Sequence, residues 1–205
     1  ITYMAITAMG AIALPLDTNL NKDSYRYMLD TAKAKAAFIS PSFKGYIKGL
    51  PTYQVALKKA MHDAAKFKAP KARETDIASL LFTSGTTGNP KIVALSHLNM
   101  FSTGISTSQY LKLDGRDSLL CILPLFHAYA FDANFIGPFA AGSSLIFQPS
   151  LKGPDIMKSL AENKITIFPA APLMWELFFD GIINKIKSQS MAKYRLFMIL
   201  LNYAP

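Results

Sequence analysis

The sequence predicts an α/β fold, with largely parallel sheets flanked by helices. Two patterns carry this reading. Short apolar runs of strand length alternate with longer segments whose apolar residues recur at helical spacing. Proline, glycine and capping residues fall between them as boundaries. Parallel strands are buried on both faces by crossover helices, so they read as unbroken apolar runs. Hydrophobic residues make up 51% of the 205, enough for one domain with a sizeable core.

The elements follow in order. Residues 11–16 read as a buried strand ending at Pro15 and Asp17. Tyr25, Met28, Leu29, Ala32 and Ala36 then fall at helical spacing, and residues 36–39 form another short strand. Strand, helix, strand in this order suggests a parallel unit. Residues 41–73 are lysine-rich and weakly patterned, with a helix over 55–67, and read as a surface excursion. Apolar runs at 80–82 and 92–95 flank a polar loop. Ser96 is a good N-cap for a helix through Tyr110. Residues 119–123 and 143–147 are strands. Pro154 opens a helix with Ile156, Met157 and Leu160 inward. Residues 165–168 form a strand stopped by Pro169. Pro172 opens a helix in which Trp175, Phe178, Phe179, Ile182, Ile183 and Ile186 form one apolar stripe. No internal repeat or low-complexity segment interrupts this order.

Bulk properties narrow the function. The net charge is +9, from 22 basic and 13 acidic residues. The lysines are scattered, with only a loose group at Lys58, Lys59, Lys66, Lys68, Lys71 and Arg73. They lack the aromatic interleaving that single-strand binders use, which argues against nucleic acid. The charge is compatible with peripheral attraction to an anionic membrane. No apolar run reaches the length of a membrane span; residues 4–16 are short and broken by Gly10 and Pro15. Cys121, the only cysteine, sits in Leu119-Leu120-Cys121-Ile122-Leu123 and reads as a small buried hydrophobe. Without an internal disulfide, a reducing, cytoplasmic setting is expected. The chain opens at Ile1 in apolar sequence and closes at Pro205 after a helix-like stretch, so it reads as an internal piece of a longer protein.

The most informative stretch is Thr83-Ser84-Gly85-Thr86-Thr87-Gly88-Asn89-Pro90-Lys91. Four hydroxyl side chains, two glycines and a lysine suit a polyphosphate. Glycines let the backbone N–H groups approach closely, hydroxyls add donors, and lysine adds a mobile point charge. A flexible surface loop is the plainer reading, but the strongly apolar flanks anchor this one between buried segments. It is not a Walker A loop, since Lys91 stands three residues after Gly88, and no G-x-G-x-x-G is present. No zinc or hydrolase signature occurs, and no nucleophile stands beside a base. His127, in Pro124-Leu125-Phe126-His127, follows a strand directly, where α/β sheets bind ligands. A lone histidine there is more often structural. His97 reads as part of the helix start, and His62 as a surface residue.

The loop resembles the phosphate-binding loop of the adenylate-forming, AMP-binding superfamily: acyl-CoA synthetases, aryl-CoA ligases, luciferases and peptide-synthetase adenylation domains. The family form [YF]-T-S-G-T-T-G-x-P-K-G-V, then a serine or threonine, a histidine and an asparagine, is met by residues 82–91, Ser96, His97 and Asn99. Ile92 departs from it, standing where glycine is usual. A β-branched residue disfavours positive φ, so either this position is extended or the loop exit differs. Ala8-Met9-Gly10-Ala11 and Pro15-Leu16-Asp17 match a second family stretch, and residues 124–127 a third. By resemblance, Thr83, Ser84, Gly85, Thr86, Thr87, Gly88 and Lys91 bind ATP phosphates. His127 lines the carboxylate pocket, and Phe131 gates an acyl tunnel, with Tyr129 and Phe135 as nearby alternatives. Ala171-Pro172-Leu173-Met174-Trp175-Glu176 looks like long-chain fatty acyl-CoA synthetases, in which a helical insertion follows. The alternative, that residues 195–205 are a degenerate glycine-rich turn, fits less well.

The resemblance implies part of a large N-terminal AMP-binding domain. Residues 1–75 would be a strand-helix-strand unit with its excursion, 76–170 the phosphate loop and acyl-pocket region, and 171–205 the insertion. It implies ATP, Mg²⁺ and coenzyme A as cosubstrates and a fatty acid or other carboxylate as substrate. A carboxylate would attack the α-phosphorus of ATP, and coenzyme A would then displace AMP. The family's adenine turn, ribose aspartate, catalytic lysine and C-terminal domain are not in these residues, so no catalytic residue is assigned and this piece alone is expected to be inactive. The rivals are an aryl- or other carboxylate-CoA ligase and a non-catalytic nucleotide-binding module.

Overall fold

The computed structural model describes residues 1–54, 67–83 and 90–202. Helix α1 (Thr2–Ala8) opens the chain. Ala13 then makes a single parallel bridge to Ser79, where a strand over 11–16 was expected. Helix α2 (Lys22–Thr31) is capped by the Asn21 side chain, which accepts from the Ser24 N–H at 2.8 Å. It ends short of Ala36 because Lys33 turns left-handed at φ 51°, directing the Ala34 N–H to the Leu29 carbonyl. Strands β1 (Ala37–Ile39) and β2 (Thr52–Gln54) pair in parallel. The helix expected over 55–67 lies outside the described residues except for Phe67.

Strand β3 (Ile77–Thr83) is the hub of the second sheet. On one side it takes Ala13; on the other it pairs antiparallel with β4 (Lys91–Ser96). Chain continuity explains the direction, because a hairpin reverses the chain without a crossover. Helix α3 (His97–Tyr110) follows at once, as predicted. Strand β5 (Ser118–Cys121) pairs in parallel with β6 (Ser144–Phe147), and Ile167 adds one parallel bridge to Leu119. The strand expected over 165–168 is therefore only a bridge. The described sheets are parallel apart from the β3–β4 hairpin, with helices packed against them.

Between β5 and β6 the chain runs through α4 (Ala128–Phe131), a π-turn (Asp132–Ile136) and α5 (Gly137–Ala141). Helices α6 (Gly153–Glu162), α7 (Pro172–Gln189) and α8 (Met191–Asn202) complete the described chain. The main core cluster gathers Leu120, Ile122 and Ile156, with Leu160, Met174 and Phe178 against it. Met157 points outward, correcting its expected inward position. In α7 the packed edge is Met174 and Phe178, while Trp175, Phe179 and Ile182 are exposed, so the predicted stripe is split between two environments.

Helix α3 lies close to the π-turn because glycine stands at both contacts. A Cβ at Gly104 would meet Ile136 Cγ2 at 2.5 Å and the Ile136 carbonyl oxygen at 3.2 Å. One at Gly137 would meet Thr107 Cγ2 at 2.7 Å. Gly104→Ala is expected to destabilise the fold by about 1–3 kcal/mol, the usual cost of overpacking. In a denaturant double-mutant cycle with Ile136→Ala, the two losses should sum to more than the double variant loses. Full additivity would remove the clash as the cause.

Candidate functional site

The hairpin register places Thr83 opposite Lys91, Phe82 opposite Ile92 and Leu81 opposite Val93. The Thr83 hydroxyl reaches the Lys91 carbonyl at 3.5 Å. Thr83 and Lys91 therefore stand side by side at the mouth of the loop, both exposed. Leu81 is buried beneath them and anchors the mouth to the core. Ser84, Gly85, Thr86, Thr87 and Gly88 lie outside the described residues. Ile92 sits within β4 in extended backbone, so the position that glycine usually fills is a strand position here.

A helix start directly behind such a loop is an obvious anion site. Here its donors are already used. Ser96 and Asn99 form a capping box, in which the Asn99 N–H donates to Ser96 Oγ at 3.1 Å and the Ser96 N–H to Asn99 Oδ1 at 3.0 Å. The His97 N–H donates to the Asp76 carbonyl at 3.0 Å, and the Leu98 N–H to Glu74 at 2.9 Å. His97 lines an apolar cavity of about 380 Å³ with Tyr3, Met4, Phe101 and Phe139.

The second group of residues leaves the C-terminal end of β5. The His127 N–H closes a turn onto the Pro124 carbonyl at 3.2 Å, and the His127 carbonyl accepts from Phe131 at 2.8 Å, starting α4. The imidazole is exposed and lies against Phe126, with ring centres 4.4 Å apart. Phe131, one turn on, is only 3% exposed and packs edge-on against Tyr3 at 4.6 Å. Tyr129 between them is 63% exposed. One helical turn thus brings His127 and Phe131 together in sequence but sends one to the surface and the other into the core.

The π-turn was not legible in the sequence, and it holds the most unusual polar group described. Asn134 is fully buried, and neither its amide nitrogen nor its oxygen has a partner among the described residues. Asp132 accepts from the Thr107 hydroxyl through one carboxylate oxygen, while the other is buried without a partner among the described residues. Asp132 and Asn134 inside an otherwise largely apolar stretch were the available signal. Nearby, burial pushes the Cys121 thiol up to about 11. Among the described residues, no group of three His, Cys, Asp or Glu side chains is placed to hold a metal ion, and no helix is long and apolar enough to cross a membrane.

Comparison with known proteins matches the family model "AMP-binding enzyme" to residues 1–200. The chain is 27% identical over 229 residues to long chain acyl-CoA synthetase 7, peroxisomal, of Arabidopsis thaliana, covering 97% of this chain and 32% of that protein. It is 31% identical over 170 residues to 2-succinylbenzoate–CoA ligase of Bacillus velezensis, covering 81% and 34%. Among solved structures, ATP-bound MatB from Rhodopseudomonas palustris superposes with a TM-score of 0.74 at 25% identity, covering 86% of this chain and 37% of that one. The chain thus spans about a third of the length of these relatives.

The buried thiol gives a pH test. Between the ordinary value of 9.0 and about 11 the native state keeps a proton that the unfolded chain has lost. Stability is therefore expected to fall as pH rises through that window. Alkylation of native Cys121 by iodoacetamide should stay slow through pH 9 and accelerate only towards pH 11, while urea-unfolded protein labels readily at pH 9. A native labelling profile with its midpoint at the ordinary value would contradict the burial argument.

Proposed function

This chain belongs to the family of AMP-binding enzymes, and from that premise we propose that the full-length protein activates a fatty acid with ATP and transfers the acyl group to coenzyme A. The observation that carries the reading is the hairpin mouth, with Thr83 beside Lys91 and the phosphate-loop sequence between them. In the first step a carboxylate oxygen attacks the α-phosphorus of ATP, supplied as its magnesium complex. The bond to pyrophosphate breaks, and an acyl-adenylate forms. In the second, the coenzyme A thiol displaces AMP. Loop N–H groups, the hydroxyls of Thr83, Ser84, Thr86 and Thr87, and the Lys91 ammonium neutralise the charge gathering on the leaving pyrophosphate. Such donors act best when fixed beforehand, as the paired strands fix both ends of this loop.

His127, exposed at the end of β5, would border the carboxylate, and Phe131 would form the packed wall behind it. Residues 171–205 would be the helical insertion of the long-chain group. A second reading, an aryl or other carboxylate substrate, is favoured by the 31% identity to 2-succinylbenzoate–CoA ligase.

Two experiments on the full-length protein test this. Lys91→Ala and Thr86→Val should each slow acid-dependent pyrophosphate release by about a hundredfold or more while leaving the melting temperature unchanged. Wild-type rates in both would remove the loop from the chemistry. Phe131→Ala empties aromatic volume from the pocket wall, so it should shift chain-length preference across a panel of fatty acids more than it changes the KM for ATP. A changed KM for ATP with unaltered chain-length preference would place Phe131 elsewhere.

A further inference from the structure

Helix α8 is apolar on two opposite sides, and only one of them is packed. The chain breaks from α7 at Ser190, whose extended backbone has φ −168° and whose carbonyl accepts from the Tyr194 N–H at 3.0 Å. Tyr194, Phe197 and Met198 follow the helical repeat and are half-buried. They form the side towards α7, where the Lys187 ammonium stands 5.5 Å from the Tyr194 ring centre. Leu196, Ile199 and Leu200 repeat the same spacing two residues later, which turns them about 200° around the helix. These three are 58%, 54% and 61% exposed.

Charge sets this outer stripe apart from an ordinary apolar face. By helical position Lys193 borders it on the Leu200 side and Arg195 on the Ile199 side, and both are exposed. Residues 181–205 hold Lys185, Lys187, Lys193 and Arg195 and no Asp or Glu. The carboxylates of α7, Glu176 and Asp180, lie in its first half. None of the four cations has a carboxylate partner among the described residues.

We propose that α8 lies flat on an anionic lipid bilayer, with Leu196, Ile199 and Leu200 dipping below the headgroups and the four cations on lipid phosphates. An apolar stripe edged by basic residues on both sides fits that surface, because lysine and arginine stems can run along apolar ground while their heads stay with the phosphates. A bilayer supplies the missing negative charge and the apolar cover in one plane. A soluble anion would leave the leucines wet. A second copy meeting the stripe across a two-fold axis would set Lys193 and Arg195 against like charges. With 12 residues, α8 is too short to span a bilayer, which takes about 20, so contact along its side is the available mode. This contact does not depend on the reaction proposed above.

Hydroxyl-radical footprinting of the full-length protein, read by mass spectrometry, tests the surface. Vesicles of phosphatidylcholine with phosphatidylserine should protect Leu196, Ile199 and Leu200 and leave Phe38 and Tyr53, exposed on β1 and β2, unchanged. Vesicles of phosphatidylcholine alone should protect none of them. A stripe already unlabelled before vesicles are added would show that another part of the protein, or a second copy, covers it, and would overturn the proposal. Sedimentation with phosphatidylserine vesicles that leaves the stripe labelled, or no sedimentation at all, would overturn it too. Lys193→Glu combined with Arg195→Glu should weaken vesicle binding by about tenfold or more at an unchanged melting temperature. Undiminished binding by that variant counts against the assignment, and the wild-type footprint decides the matter should the variant fail to fold.

Discussion

Cross-strand pairing between β3 and β4 holds Thr83 opposite Lys91, and the geometry of the candidate site follows from that register. Side chains alternate along a strand, so a slip of one residue would turn Leu81 to the surface and swing the loop ends to opposite faces. The slip is resisted from both sides. Ala13 exchanges hydrogen bonds with β3, its N–H donating to Ala78 and its carbonyl accepting from Leu80, both at 2.9 Å. Beyond β4 the capping box starts α3 without an intervening loop. The hairpin is locked between a buried bridge and a helix, so a polar loop is carried on an apolar frame. On the function proposed above, that combination would spare the loop donors any reorganisation when charge develops on a bound phosphate.

Packing beneath this frame sets the second half of the site. Gly104 and Gly137 let α3 lie against the π-turn, and the π-turn places Asn134 in the core while Phe131 meets Tyr3. A buried amide with no partner among the described residues is costly, about 1–3 kcal/mol when unsatisfied. π-turns within helices often mark functional positions, and this one directly follows α4, whose N-cap is His127. Helices α7 and α8 contain no buried residue, and Trp175, Leu177, Leu196 and Leu200 are all exposed on them.

Where local chemistry decides the structure, the residues were readable. The cap at Ser96 needs only a hydroxyl and a side chain three residues on, and it forms as expected. The apolar runs flanking the polar loop became the two strands of the hairpin. Elsewhere tertiary context decided. Residues 11–16 and 165–168 have strand composition, but each makes a single bridge, to Ser79 and to Leu119. Strand β2 is exposed and lacks an apolar run, so only its pairing with β1 reveals it. The stretch 128–141 carries Gly137-Pro138, breakers by local rule, yet remains helical through the π-turn. The family was legible because a phosphate cradle demands small and hydroxyl residues at fixed spacing.

The central claim is that the loop between Thr83 and Lys91 serves adenylation rather than hydrolysis of ATP. The most direct measurement is isotope exchange between labelled pyrophosphate and ATP, catalysed by the full-length protein with and without carboxylic acids. Exchange that depends on a carboxylate, and that appears before coenzyme A is added, is the expected result. Release of ADP and orthophosphate from ATP, or exchange indifferent to every carboxylate, would contradict it.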